Sequence, residues 1–274
     1  MAVTRTCAGR AEVDLGIRGK VALVCGASRG IAYAAAEQFA REGAVLVICS
    51  RDERSLASAA DRLMRLGAPV VSIVADLSTT DGIARVNEGA MAAHGRVDIL
   101  ITNTGGPPTG SALAHDWPAW ERASHLLLRS AVELARAFVP GMQERKWGRV
   151  IGITSFAVKQ PVPSLVLSNS LRAAVTGYFR TLAEEVARDN VTVNTVLPGY
   201  TATERLESLA DAASARTGVT RESVFDTFRA ATPAARLGRP EEVASMIVFL
   251  ASETAGFTTG QAICVDGGAA RSLL

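Results

Sequence analysis

The stretch Val21-Ala22-Leu23-Val24-Cys25-Gly26-Ala27-Ser28-Arg29-Gly30-Ile31-Ala32 decides the fold. Five apolar residues without a polar interruption suit a strand covered on both faces, and a glycine-bearing turn leads from them into a run of helical period. Gly26 and Gly30 permit a tight turn and let backbone N–H groups approach a phosphate closely. The helix opening near Gly30 offers its positive end to the same anion. A dinucleotide pyrophosphate fits such a turn, and a purely structural strand-to-helix turn needs the same residue types.

Outward from this unit, short β-branched runs alternate with longer helical stretches as far as the C-terminus. Strands are predicted at Val21–Gly26, Ala44–Ser50, Val70–Ala75, Val97–Thr102, Arg149–Thr154, Val191–Leu197 and Gln261–Val265. Their apolar continuity predicts one doubly wound α/β domain of Rossmann type, a seven-stranded parallel sheet with helices on both faces. Residues 1–19 read as a polar N-terminal extension, residues 20–274 as the domain, and the polar segment 204–229 as a lid. Ligands of such sheets bind beyond the carboxyl ends of the strands, so the residues after each strand carry the functional reading.

The 274 residues, 48% hydrophobic and 20% charged, exclude a disordered chain. A formal charge of +2, from 29 Lys+Arg against 27 Asp+Glu, gives no drive toward a nucleic-acid backbone. No apolar run is long enough for a bilayer, and the first nineteen residues hold no secretory core, so a soluble, cytoplasmic protein without membrane partners is expected. Cys7, Cys25, Cys49 and Cys264 lack paired spacing and read as buried reduced thiols. His94, His115 and His125 have no ligand spacing, so no metal is expected.

One rival chemistry shares the first turn. Gly26-Ala27-Ser28-Arg29-Gly30 also fits the Gly-x-Ser-x-Gly nucleophile elbow of hydrolases, which requires an Asp and then a His downstream. No histidine follows His125, and the turn comes after the first strand rather than after several.

With Gly-x-x-x-Gly-x-Ala after the first strand, Asp76-Leu77 after the third, Asn103-Thr104-Gly105 after the fourth and Pro198-Gly199 after the sixth, the chain resembles the short-chain dehydrogenase/reductase family. The resemblance runs from Lys20 to Gly268. Its tail, from Gly238-Arg239-Pro240 through Thr259-Gly260-Gln261 to Val265-Asp266-Gly267-Gly268, is similar to the 3-oxoacyl-carrier-protein reductase branch. The resemblance implies that Gly26, Ser28, Arg29, Gly30 and Ile31 hold cofactor phosphates and that Asp76 and Leu77 meet adenine. It further implies that Asn103 and Gly105 line the groove and that Gly199, Thr201 and Thr203 stand at the carboxamide end. Arg51 at the end of the second strand, with Arg29 in the turn, predicts NADP(H), since guanidinium groups suit a ribose 2′-phosphate. Asp52 nearby reads either as a ribose-binding acid or as a helix N-cap.

At the chemistry the sequence departs from the family. The family's Tyr-x-x-x-Lys pair aligns with Ser168 and Arg172, and its helical asparagine with Leu127, whereas Ser155, thirteen residues before Ser168, matches the carbonyl-orienting serine. A serine hydroxyl is a far weaker acid than a phenol, and a guanidinium holds its proton at neutral pH. Lys159, four residues after Ser155, is therefore predicted to supply the proton, with Tyr200 as the next candidate. The expected function is an NADP(H)-dependent oxidoreductase interconverting a ketone and a secondary alcohol with a non-standard catalytic set. A non-redox enzyme on the same fold, or a non-catalytic nucleotide-binding subunit, are the alternatives. A small-molecule substrate and a homo-oligomer, a tetramer or otherwise a dimer, are expected as partners.

Overall fold

The computed structural model describes residues 14–273, so Cys7 and residues 1–13 of the expected extension lie outside the described residues. Seven strands, β1 (Val21–Cys25), β2 (Val45–Ser50), β3 (Val70–Val74), β4 (Ile99–Thr102), β5 (Gly148–Ile153), β6 (Val191–Pro198) and β7 (Ala262–Val265), form one sheet in the order β3-β2-β1-β4-β5-β6-β7. Every pairing is parallel. Successive side chains of a strand point to opposite faces, and both faces are covered. Ala22, Val24, Leu46 and Ile48 pack with helices α1 (Gly30–Arg41), α2 (Glu53–Met64) and α9 (Pro240–Leu250). Leu23, Cys25, Val47 and Cys49 pack on the other side with α3 (Thr80–His94), α5 (Ser130–Glu144) and α6 (Val166–Val186). The free thiols of Cys25 and Cys49 are buried as expected, while Cys264 is only partly so.

Strand ends shift from their predicted bounds for local reasons. β1 stops at Cys25 because Gly26 takes a φ of +64°, outside the extended region. β4 begins at Ile99 rather than Val97: the Asp98 carboxylate accepts from the Val21 N–H at 2.9 Å. The other bounds move by a single residue.

The sheet reverses direction of growth at β1, between β2–β3 on one side and β4–β7 on the other, which opens a crevice beyond the C-terminal ends of β1 and β4. Before α5, the helix α4 (Trp117–Ser124) passes through a π-helical turn at His125–Arg129, which brings Leu127 into the interior. The segment predicted as a lid folds into α7 (Glu204–Thr217) and α8 (Arg221–Ala230), capped by Thr203 and Thr220. No helix of the described residues is long and apolar enough to cross a membrane.

Candidate active site

A cleft of about 470 Å³ lies over the crevice. Its floor at one end is the glycine turn, where Gly26, Ser28, Arg29, Gly30 and Ile31 all line it. Ser28 accepts from the Ser50 hydroxyl at 3.2 Å, which ties the turn to the end of β2. Arg29 is the N-cap of α1 yet makes no side-chain cap bond, whereas Asp52, Thr79, Asp116, Thr203 and Thr220 cap their helices with a side-chain oxygen. The amides of the first turn of α1 therefore face the cleft without a side-chain acceptor, and a phosphate fits them.

Arg51 lines the same end, exposed at the tip of β2. Asp52 is outside the lining: its carboxylate accepts from the Ser55 N–H at 2.8 Å and from the Ser55 hydroxyl, which hold its pKa below the usual range. The N-cap reading of Asp52 is thus the one realised. Asp76 and Leu77 line the wall beyond β3. Oδ1 of Asp76 accepts from the Ser78 N–H at 2.9 Å and its hydroxyl at 2.8 Å, and the backbone bond is the main reason that the carboxyl lies below its ordinary pKa. This residue is a turn former and a cleft residue at once.

Asn103 and Gly105, after β4, form the opposite wall. A Cβ on Gly26 would stand 2.6 Å from Asn103 Nδ2, so glycine there is what lets the two strand ends close up. Around Gly105 the space is open. At the far end Gly199, Thr201 and Thr203 line the cleft, with both threonine hydroxyls engaged by their own loop: Thr201 donates to the Gly199 carbonyl and Thr203 to the Thr201 carbonyl, each at 3.2 Å.

Ser155, Ser168, Arg172 and Tyr200 meet at this far end. Ser155 caps the 3-10 turn Phe156–Val158: its oxygen accepts from the Ala157 N–H at 3.1 Å, leaving its own proton to donate. Ser168 and Arg172 lie four residues apart on α6, one above the other on the same face. Arg172 Nε donates to Ser168 Oγ at 3.3 Å, and Nη1 donates to the carbonyls of Ile153 and Thr154 at 2.9 and 3.2 Å. Burial, with the nearby charge of Arg205, pushes the Arg172 pKa down to about 10. Tyr200 stacks on Phe228 of α8 with centroids 4.7 Å apart and meets Phe156 edge-on at 5.3 Å. Burial raises its pKa, so the phenol keeps its proton.

Lys159 lies apart from this group. Predicted on a cleft-side loop, it is not among the residues lining the cleft. It is the C-cap of the 3-10 turn after Ser155, and Gln160 next to it accepts from the backbone N–H of Arg271 in the C-terminal segment. The hydrolase rival also fails on geometry, because none of the three histidines lines the cleft with Ser28.

Two side chains that sequence reasoning passed over complete the site. Arg205, in the first turn of α7, lines the cleft and donates to the Pro107 carbonyl at 3.0 Å. Glu204 pairs with Arg29 of the glycine turn, joining α7 to the phosphate end. The only sequence signal for either was a place in the expected lid.

A family model described as Enoyl-(Acyl carrier protein) reductase matches residues 26–270. The chain is 34% identical to "Uncharacterized oxidoreductase YvrD" of Bacillus subtilis (strain 168), over 95% of this chain and 100% of that protein. It is 33% identical to dehydrogenase/reductase SDR family member 4 of Bos taurus, over 91% of this chain and 86% of that one. Among solved structures it superposes, with a TM-score of 0.89 and 35% identity, on L-sorbose reductase from Gluconobacter frateurii complexed with NADPH and L-sorbose, covering 95% of this chain and 100% of that one. Sheet order, glycine turn and near-complete coverage of these relatives agree, and the chain belongs to the short-chain dehydrogenase/reductase family.

Proposed function

We propose that the protein is an NADP(H)-dependent oxidoreductase interconverting a ketone and a secondary alcohol of a small molecule, with a non-standard catalytic set. The observation that carries this reading is the Ser155, Ser168, Arg172 and Tyr200 cluster at the catalytic end of a cleft whose other end is an uncapped helix N-terminus. The similar sorbose reductase, solved with NADPH, supports the cofactor. Arg51 in the lining, with the adjacent Asp52 outside it and committed to its cap, favours the phosphorylated form.

When bound, the reduced nicotinamide supplies the hydride. Gly26 to Ile31 would hold its phosphates, Asp76 and Leu77 the adenine, and Asn103, Gly105, Gly199, Thr201 and Thr203 the groove toward the carboxamide. Ser155 and Ser168 each keep a hydroxyl proton free to donate to a substrate carbonyl, which fixes that oxygen between them. Arg172 holds the Ser168 oxygen from behind and supplies a positive charge where the alkoxide develops. Tyr200 is the phenol on the cleft wall and, with Lys159 outside the lining, the group that gives the proton. Helices α7 and α8 act as the lid, tied to the phosphate end by Glu204–Arg29 and to the catalytic end by Phe228–Tyr200.

Incubation with NADPH and a panel of ketones tests the reading: consumption of NADPH, reduced at least tenfold in Ser168→Ala, supports it, as roughly expected for loss of one donor to a developing oxyanion. Tight NADPH binding with no consumption would favour a non-redox enzyme or a nucleotide-binding subunit. A tetramer is also proposed. The exposed small residues Ala173, Ala174 and Gly177 give α6 a surface suited to close helix packing across a two-fold, and a monomer by light scattering would overturn it.

A further inference from the structure

We infer that the substrate carries an anionic group, a carboxylate, and that Arg205 is the residue that selects it. The inference rests on the ketone reading of the same cleft and names the substrate class. Arg205 projects from the first turn of α7 into the cleft and lies flat against the β4–α4 loop. A Cβ on Gly106 would fall 2.3 Å from the centre of its guanidinium, so the missing side chain at Gly106 is what makes room for it. Its Nη2 donates to the Pro107 carbonyl, which fixes the plane, and no other bond of its remaining donors is formed among the described residues.

Charge balance points the same way. Arg172 stands close enough for Arg205 to disfavour its charged form, and among the described residues neither guanidinium meets a carboxylate. The two acids of the lining are already engaged, Glu204 by Arg29 and Asp76 by Ser78. The catalytic end therefore holds two like charges and no counter-charge of its own. Arg172 is spent on Ser168 and two backbone carbonyls, whereas Arg205 presents a free planar edge. Such an edge matches a carboxylate in a way that a point charge does not. A ketone held by Ser155 and Ser168 with its carboxylate on Arg205 would be fixed at two points, which sets which face is presented for reaction.

Calorimetry on the NADP+-loaded protein, with a series of straight-chain oxo acids such as 4-oxopentanoate and their methyl esters, decides the matter. At least one acid is expected to bind about tenfold or more tightly than its ester, the size of one charge-assisted hydrogen bond. Arg205→Met should erase that preference, Arg205→Lys should keep part of it, and NADPH affinity should stay within about twofold in both. Failure of every acid to out-bind its ester, or a preference that survives Arg205→Met, overturns the inference. A large loss of NADPH affinity in Arg205→Met, with the acid preference intact, would assign the guanidinium to the cofactor instead. If acids are preferred through Arg205 yet no compound consumes NADPH, the reductase reading fails and the anion site stands. Turnover of esters and acids alike leaves the reductase and removes the anion site.

Discussion

Replacing Gly26 by alanine perturbs the fold and the site through a single atom. Gly26 has a φ of +64°, and a left-handed backbone costs a residue with a side chain roughly 1–2 kcal/mol. The new Cβ would stand 2.6 Å from Asn103 Nδ2 and 3.2 Å from the Asn103 carbonyl oxygen, so the Asn103 amide must swing aside and its backbone give by a few tenths of an ångström. Overpacking of this kind adds roughly 1–3 kcal/mol. Together these give roughly 2–5 kcal/mol, and at about 2–4 °C per kcal/mol for a chain of this size the melting temperature should fall by roughly 4–20 °C. Gly67 supplies the control: its φ is +85° and nothing lies within 4 Å of a Cβ placed there. Gly67→Ala should therefore show the backbone cost alone, roughly 1–2 kcal/mol. Thermal melts followed by circular dichroism give the stabilities, and NADPH titration of both variants gives the effect on the cleft. Gly26→Ala should melt lower than Gly67→Ala and lose NADPH affinity, while Gly67→Ala binds as wild type. Equal melting of the two variants with unchanged NADPH affinity would refute the packing of Gly26 against Asn103 as the reason for a glycine there.

Two further predictions concern the chemistry. Tyr200→Phe should lower kcat for ketone reduction by roughly 10²–10⁴-fold, whereas Lys159→Met should leave it unchanged; the reverse order would return the proton to the lysine. Because burial raises the Tyr200 pKa and the group acts in its protonated form, reduction should hold through neutral pH and fall only as pH rises through the raised phenol pKa, above the ordinary value of 10.0. A pH profile that falls near neutrality and is unaltered by Tyr200→Phe would exclude the assignment. Arg51→Ala should weaken NADPH about tenfold and leave NADH affinity unchanged, as measured by parallel titrations; equal losses for both would place Arg51 elsewhere on the cofactor.

Much of the fold was legible because β1, β2, β4 and β7 are apolar runs with at most one small polar end residue, and several β-to-α turns carry their own markers. Gly26 and Gly30, Asp76, Asn103 and Gly199 are such markers, and all end at the rim of one cleft. Local chemistry is partly legible, as with Asp52, whose cap on Ser55, one of the two readings its sequence allows, needs only three residues. That Lys159 lies outside the cleft lining is not legible in the sequence, because it closes a one-turn 3-10 helix whose neighbour Gln160 is tied to Arg271 more than a hundred residues away. Arg205 was passed over for a related reason. Nothing around it in sequence shows that it will lie on Gly106, since that contact joins the β4 loop to a helix that follows β6. The stacking of Phe228 on Tyr200 is likewise a product of how α8 folds back.

The most direct test follows the hydride itself. The protein is incubated with NADPH deuterated at the transferable position of the nicotinamide and with a panel of neutral and carboxylate-bearing ketones, and the alcohols are weighed by mass spectrometry. Transfer predicts a secondary alcohol containing one deuterium from the cofactor, formed by wild type and lost in Tyr200→Phe. Alcohol without deuterium, or no alcohol from any ketone while NADPH remains bound in the cleft, would contradict a carbonyl reductase.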